Sequence, residues 1–420
     1  MAQSQIDNRT LFTGDNLEVM RAMNSATVDL IYLDPPFNKK IIFPIGKGDN
    51  KEFGYKDIWG WESAPNEHNP FLPYAELYAF DELVAAENNG NPLIDGRMAK
   101  KIVRFLETMG EISGHPEMAY LSFMAARLVE MKRLLKPTGS IYLHCDPTMS
   151  HSLKLLMDIV FGEDNFQNEI AWCYSNIGAH PKARYPRKHD IIFFYRKSAA
   201  SLLFNKQTYN HWKSGEKAHP CDWWIDIVSF NGFMGPQGDK HVGYPTQKPL
   251  ALLERIIAAS SAEGDLVLDP FCGCATTCVA AEKLNRRWYG IDVASHAANL
   301  VKLRLLEATK QGILIGGKRN IYHRKFDEGD CPIRTDLGGV RSKNIRKILY
   351  GDQEGRCNLC KTRFDIRHFH IDHITPTSKG GPDVDGNLQL LCGSCNMIKG
   401  DRTMERARQR LTELGYIQAA

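Results

Sequence analysis

"DLVLDPFCGCATT" (residues 265–277) sets the architecture. Leu266, Val267 and Leu268 form an apolar run too short for a helix, and Asp269-Pro270 closes it, which reads as a buried strand. The small residues Gly273, Cys274 and Ala275 then make a tight turn before a helix start at Thr276. Such a turn lets a ligand approach the backbone, and the helix N-terminus offers free N–H groups. Some 20 residues on, "WYGIDV" (288–293) puts Asp292 at the end of the next strand, where a carboxylate can accept both hydroxyls of a ribose. On these residues alone, the strand–helix connection of any α/β protein is the lesser alternative reading.

Working outward, the alternation continues. A helix is expected from Leu250 to Ser261, entered through "YPTQKPLALLERII" (244–257), with Thr246 as cap and Pro249 in the first turn. Further helices are expected over Thr276–Leu284 and Ser295–Thr309. Toward the N-terminus, a short strand, a helix (Asn16–Met23) and a strand ending at Asp34 come first. A helix over 118–135 then runs into a Lys136-Pro137-Thr138-Gly139 turn, a strand (Ser140–His144) and a helix over 151–161. Residues 40–117 read as irregular, and 165–240 as strands mixed with basic and aromatic clusters. Helix–turn–strand repetition is the signature of a mostly parallel sheet with helices on both faces. Residues 311–345, rich in Gly, Lys and Arg, read as a linker between a body (1–310) and a small tail domain (346–420).

"YLDPPFN" (32–38) follows the apolar run of the second strand directly. Two prolines fix the backbone and carry no N–H, so a carboxylate and a carbonyl are held as uncontested acceptors. A rigid turn is the plainer reading of "DPPF" by itself. Taken together and in this order, "DPPF", "TQKP" and "DPFxGx" resemble the amino-methylating DNA methyltransferases, in the permuted arrangement that sets the catalytic motif before the cofactor motif. The resemblance spans residues 10–305 and implies a Rossmann-like methyltransferase sheet. It assigns S-adenosylmethionine to Asp269, Phe271 and Gly273, with Asp292 on the ribose. Thr246, Gln247 and Lys248 match a segment bordering the same pocket, and "TGDNL" (13–17) matches another through Asp15. One departure stands out: the family usually has glycine where Ala275 stands, and a methyl group is expected to be tolerated there if the backbone angles are ordinary.

The same resemblance gives "DPPF" its chemistry. The exocyclic amine of adenine or cytosine is a poor nucleophile because its lone pair is delocalised. Hydrogen bonds from its N–H groups to the Asp34 carboxylate and the Pro35 carbonyl, with Pro36 stiffening the turn, favour a pyramidal nitrogen. Phe37 can stack on a base extruded from double-stranded DNA. An initial Asp goes more often with adenine N6 and Ser with cytosine N4, so adenine is favoured and cytosine N4 is the alternative. Readers of the target sequence are expected within 40–115 and 165–240, above all in the basic, aromatic "YSNIGAHPKARYPRKHDIIFFYRKS" (174–198). The body cysteines Cys272, Cys274 and Cys278 read as small buried residues, not nucleophiles.

The tail carries a second chemistry. Cys357-x-x-Cys360 and Cys392-x-x-Cys395 flank 31 residues, and four thiolates at paired spacing suit tetrahedral Zn²⁺. Between and after them, "FHIDHITPTSKGGPDVDGNLQLLCGSCNMIKGDR" (369–402) resembles an HNH nuclease, a zinc-stapled ββα-metal domain. That match makes His373 the general base and Asn387 the residue positioning its loop. Asp372 and Asn396 would hold Mg²⁺ or Mn²⁺. His368 and His370 receive no role. A tail that only docks on DNA is the alternative.

Composition is consistent with this reading. The 420 residues are 43% hydrophobic and 24% charged, with net charge +4. Residues 331–420 hold 15 Lys and Arg against 10 Asp and Glu, whereas the first 330 residues are close to neutral. A basic tail suits a polyanionic partner. Neither a membrane-spanning run nor an apolar leader is evident, so a cytoplasmic protein without membrane partners is expected, with a homodimer left open.

Overall fold

The computed structural model describes residues 6–37, 41–45, 52–57, 96–174, 181–199, 202–210, 217–230, 247–293, 301, 303–305, 321–325, 345–353 and 355–415. The body contains β1 (Thr10–Thr13), α1 (Asn16–Arg21), β2 (Val28–Leu33), β3 (Ile41–Ile45), β4 (Glu52–Asp57), α2 (Gly96–Ser113), α3 (His115–Leu134), β5 (Leu135–Cys145) and α4 (Ser150–Phe161). It continues with β6 (Phe166–Cys173), β7 (His189–Arg196), β8 (Tyr209–Asn210), β9 (Lys217–Ala218) and β10 (Trp223–Trp224). Then come α5 (Leu250–Ser260), β11 (Leu266–Asp269), α6 (Thr276–Lys283), β12 (Arg287–Asp292) and β13 (Tyr322–Lys325). The tail holds α7 (Ile345–Asp352), β14 (Phe369–His373), β15 (Leu388–Cys392), α8 (Gly393–Lys399) and α9 (Met404–Glu413).

Nine strands form one sheet in the order β10-β6-β7-β5-β2-β11-β12-β1-β13. From β5 to β13 the neighbours are parallel, and β7 runs antiparallel between β5 and β6. Alternate side chains of the central strands feed two cores. Phe12, Ile31, Leu33, Leu143 and Leu268 pack on one face with Tyr120, Leu121 and Met124 of α3. Leu11, Leu30, Tyr32, Tyr142 and Val267 pack on the other with Leu252, Ile256 and Ala280 of α5 and α6. Burial on both faces explains why β2 and β11 read as continuous apolar runs. After β2 the chain builds outward through β5, then returns on the other side with β11 and β12. The β2/β11 boundary is therefore the point where strand order reverses, and ligands of open α/β sheets bind outside the carboxyl ends at such a point.

Several expectations change. Residues 96–113, read as irregular, form an 18-residue helix whose Met98, Ile102 and Leu106 reach the core. The Lys136–Gly139 turn is absorbed into β5 as an irregularity, because Val28 pairs with Leu135 and Leu30 with Ser140. α1 ends at Arg21, short of Met23, and Pro249 caps α5 from outside the helix. Four residues of the expected linker instead form β13, which lies at the sheet edge on β1 through backbone pairing and a 2.8 Å Thr13 Oγ1–His323 Nε2 contact. Most of the expected 295–309 helix lies outside the described residues, although 301 and 303–305 are helical.

In the tail, β14 and β15 form an antiparallel pair against which α7 and α8 pack. Among the described residues no helix is long and apolar enough to cross a membrane.

Candidate functional site

A cavity of about 360 Å³ opens at the carboxyl ends of β2 and β11. Its wall includes Asp15, Tyr32, Asp34, Pro36, Lys248, Asp269, Phe271, Gly273 and Asp292. Segments separated by more than 200 residues thus meet at one place. Gln247 is buried nearby, Pro35 is buried beside Asp34, and Thr246 lies outside the described residues.

Each loop is held by its own chemistry. Asp269 is buried, and its two oxygens accept from the Phe271 N–H (3.0 Å) and the Thr277 hydroxyl (2.5 Å). These bonds close the 270–277 turn, so this carboxylate shapes the cavity through the turn it ties. Burial, with Asp34 and Asp292 nearby, raises its pKa to about 7 against the pull of those two donors. Asp292 Oδ2 accepts from the Gly273 N–H at 2.8 Å and so ties the turn to β12. Gly273 takes φ 49°, and Ala275 takes φ 55° and ψ 42°, so the methyl-bearing residue sits in the left-handed region. Backbone angles at this departure from the family pattern are therefore not ordinary.

On the opposite wall, Asp15 caps α1 through the Leu17 N–H and is gripped by Arg127 Nη2 at 2.8 and 2.9 Å. Arg127 Nε also donates to Asn16 Oδ1, and Asn16 Nδ2 donates to the Pro270 carbonyl. The guanidinium lies 3.3 Å over the Phe123 ring, which faces Phe271. Arg127 and Phe123 were not evident from sequence, since nothing local in α3 announces a partner more than 100 residues away, whereas Asn16 stands in the "TGDNL" motif, matched through Asp15 alone.

At Asp34, Oδ2 pairs with Lys248 Nζ, while Oδ1 is buried without a hydrogen-bond partner. A buried unpaired carboxylate oxygen is costly and needs a reason. Phe37 is 9% exposed and packs beside His144, with Lys248 over its ring, outside the cavity lining. Behind this wall runs a buried chain: Tyr32 Oη to His144 Nδ1 (2.8 Å), His144 Nε2 to Asp190 Oδ2 (3.1 Å), and Tyr174 Oη to Asp190 Oδ1 (3.1 Å).

In the tail, the four sulfurs of Cys357, Cys360, Cys392 and Cys395 lie within 4.8 Å of one another. Asp372 Oδ2 accepts from Gln389 (2.9 Å) and pairs with the fully buried Lys399 (2.9 Å), which also donates to the His373 carbonyl. His373 Nε2 contacts Asp383 Oδ1 at 3.1 Å. Asn387 latches the loop after His373: its Oδ1 accepts from the Thr375 N–H, and its Nδ2 donates to the Thr375 and Pro382 carbonyls. Asn396 is half-buried on α8. Lys399 and Asp383 were missed, although Lys399 follows Asn396 by one helical turn.

A family model described as DNA methylase matches residues 28–303. The chain belongs to the DNA methylase family. A second model, HNH endonuclease, matches 357–402, so a C-terminal HNH domain follows the methylase body. The type II methyltransferase M2.MboI of Moraxella bovis is 32% identical over 73% of this chain and 91% of its own length. DNA adenine methyltransferase YhdJ of Escherichia coli K12 is 25% identical over 71% of this chain and 82% of its own. The type II methyltransferase M.EcaI of Enterobacter cloacae is 28% identical over 45% of this chain, which spans 58% of that relative's length.

Proposed function

We propose that this DNA methylase transfers a methyl group from S-adenosylmethionine to the exocyclic amine of a base turned out of double-stranded DNA, with adenine N6 as the acceptor. The observation that carries the reading is the unpartnered Oδ1 of Asp34 in a buried wall beside the Pro35 carbonyl. Two acceptors with no competing donor suit an amine's two N–H groups. Lys248, paired to Oδ2, fixes the carboxylate's rotamer. Accepting both N–H bonds draws the nitrogen toward a pyramidal shape and localises its lone pair. Pro36 stiffens this turn, and Phe37 forms the wall behind it.

The residues around the cavity fit the proposed cofactor. Phe271 and the backbone of Gly273 offer a flat face and a close approach, Asp292 suits the ribose hydroxyls, and Asp15 suits a cationic ammonium. Gln247, buried nearby, would border the same pocket. When bound, S-adenosylmethionine supplies an electrophilic methyl on a positively charged sulfur. Adenine is preferred to cytosine N4 because Asp, not Ser, leads the "DPPF" motif, and because one relative is named an adenine methyltransferase.

For the tail we infer a structural Zn²⁺ on the four cysteines and a nuclease that cuts DNA in a restriction–modification role. His373, oriented by Asp383, would take the proton of an attacking water through its other ring nitrogen. Asn387 would hold the histidine loop. Asp372 keeps Oδ1 without a hydrogen-bond partner among the described residues, and with Asn396 it would hold Mg²⁺ or Mn²⁺, which neutralises phosphate charge. A second reading, a tail that only docks on DNA, is favoured by one observation: Lys399 already neutralises Asp372.

Incubating random-sequence DNA with labelled S-adenosylmethionine, with and without Mg²⁺, tests both halves. N6-methyladenine is expected on nucleoside analysis and Mg²⁺-dependent breaks on a gel. N4-methylcytosine would reassign the base, and intact DNA under every divalent ion tried would leave the docking tail.

A further inference from the structure

The loop between β6 and β7 leaves the same edge of the sheet as Asp34, because β5 is parallel to β2 and antiparallel to β7. Its sequence from Ser175 to His189 contains no acid, and Lys182, Arg184 and Arg187 are exposed. Within it stands Tyr185, 95% exposed, the most exposed large hydrophobic side chain among the described residues. An aromatic ring displayed in this way between two arginines gains nothing from the fold.

The base of the loop is fixed. The Tyr174 N–H donates to the Lys188 carbonyl at 2.9 Å, and Arg187 Nη1 donates to Thr148 Oγ1, just past the end of β5, at 3.0 Å. Tyr174 Oη holds Asp190, and through His144 that chain ends on Tyr32 in the cavity wall. Pro186 restricts Tyr185 to extended backbone, and Pro181 stiffens the entry. Little conformational freedom is therefore lost when the ring meets a partner.

We propose that Tyr185 is a wedge that enters the duplex and stacks where the target base has left, while Lys182, Arg184 and Arg187 grip the flanking phosphates. Extruding a base breaks its stacking, and an aromatic side chain replaces that stacking without regard to sequence. The inference rests on the DNA-methylating reading and deepens it. Tyr185 acts on the DNA and not on the amine, so its removal should slow methylation without weakening binding much.

The test uses the full chain, duplex plasmid DNA and labelled S-adenosylmethionine under single-turnover conditions. Tyr185→Ala should reduce the rate at saturating DNA at least tenfold and leave the DNA dissociation constant within threefold. Tyr185→Phe or Tyr185→Trp should restore the rate to within twofold, which a hydroxyl-dependent role would not allow. Arg184→Ala should instead weaken binding and lower the salt slope by about one. A fully exposed residue endangers no core, and circular dichroism checks that each variant is folded. A parent enzyme that labels DNA beside an equally fast Tyr185→Ala overturns the wedge alone, as does a Tyr185→Ala defect confined to affinity. A parent that binds cofactor and labels no DNA overturns the methylating reading itself.

Discussion

Beside the cavity, Asp34 and Ala275 both depart from what a stable fold alone would select. Asp34 leaves a buried oxygen unsatisfied, and Ala275 holds a left-handed conformation that an L-residue avoids. For Ala275 the magnitudes can be weighed. Relief of left-handed strain by Ala275→Gly gains about 1–2 kcal/mol, and the buried methyl it removes is worth about 0.8 kcal/mol. The net change should be a stabilisation of about 1 kcal/mol or less. Ala275→Val meets both strain and a fully packed site and should lose at least about 2 kcal/mol. Urea unfolding of the three proteins measures this, and a Val variant as stable as the parent would contradict the turn geometry. Asp34, Lys248, Asp269 and Asp292 could be read in the sequence because each sits in a local motif. Arg127, His144, Asp190 and Lys399 could not, because each acquires its role from a partner on another element.

At the scale of elements, the antiparallel extension through β7 and β6 supports the cavity from behind. Asp190 on β7 is the keystone, bonded to His144 on β5 and to Tyr174 after β6. Burial alone would push its pKa up. The hydrogen bond and charge of His144, with Lys248 and Tyr174, outweigh burial and hold it down to about 2. A depressed carboxylate contributes stability that is complete above the unfolded value near 4 and is lost as pH falls through 2. The shift corresponds to about 2 kcal/mol. Asp190→Asn should thus lose about that much at pH 7 and show a flatter decline between pH 4 and 2; an unchanged acid profile would contradict the network. The parallel core was legible from its apolar runs, whereas α2 was not, since its charged residues mask the spacing of Met98, Ile102 and Leu106. In the tail, β15 is buried along its length but β14 buries only Phe369, and the proposed Zn²⁺ on the cysteine cluster would staple so small a domain. Chelation should release one Zn²⁺ and unfold this region while the body keeps its cofactor affinity. Metal analysis with tail-reporting hydrogen exchange checks this, and a folded, zinc-free tail would contradict it.

Across the whole molecule, a near-neutral body is followed by residues 331–420, which carry a surplus of five positive charges. Both proposed chemistries act on one polyanion, yet their residues share no motif. His373→Ala removes no cysteine, so it should abolish Mg²⁺-dependent breaks while methylation persists. DNA methylated beforehand should resist cutting by the parent, and equal cutting of both substrates would contradict the restriction–modification role. Of all measurements, methyl transfer by Asp34→Ala tests the central claim most directly. Labelled S-adenosylmethionine is offered with duplex DNA to the parent and this variant, and cofactor affinity is measured alongside. The account predicts that the variant loses at least a hundredfold in transfer while binding the cofactor within a few-fold. Asp292→Ala should show the reverse order, with affinity failing first. Full transfer by Asp34→Ala would contradict the claim that its unpartnered oxygen receives the amine.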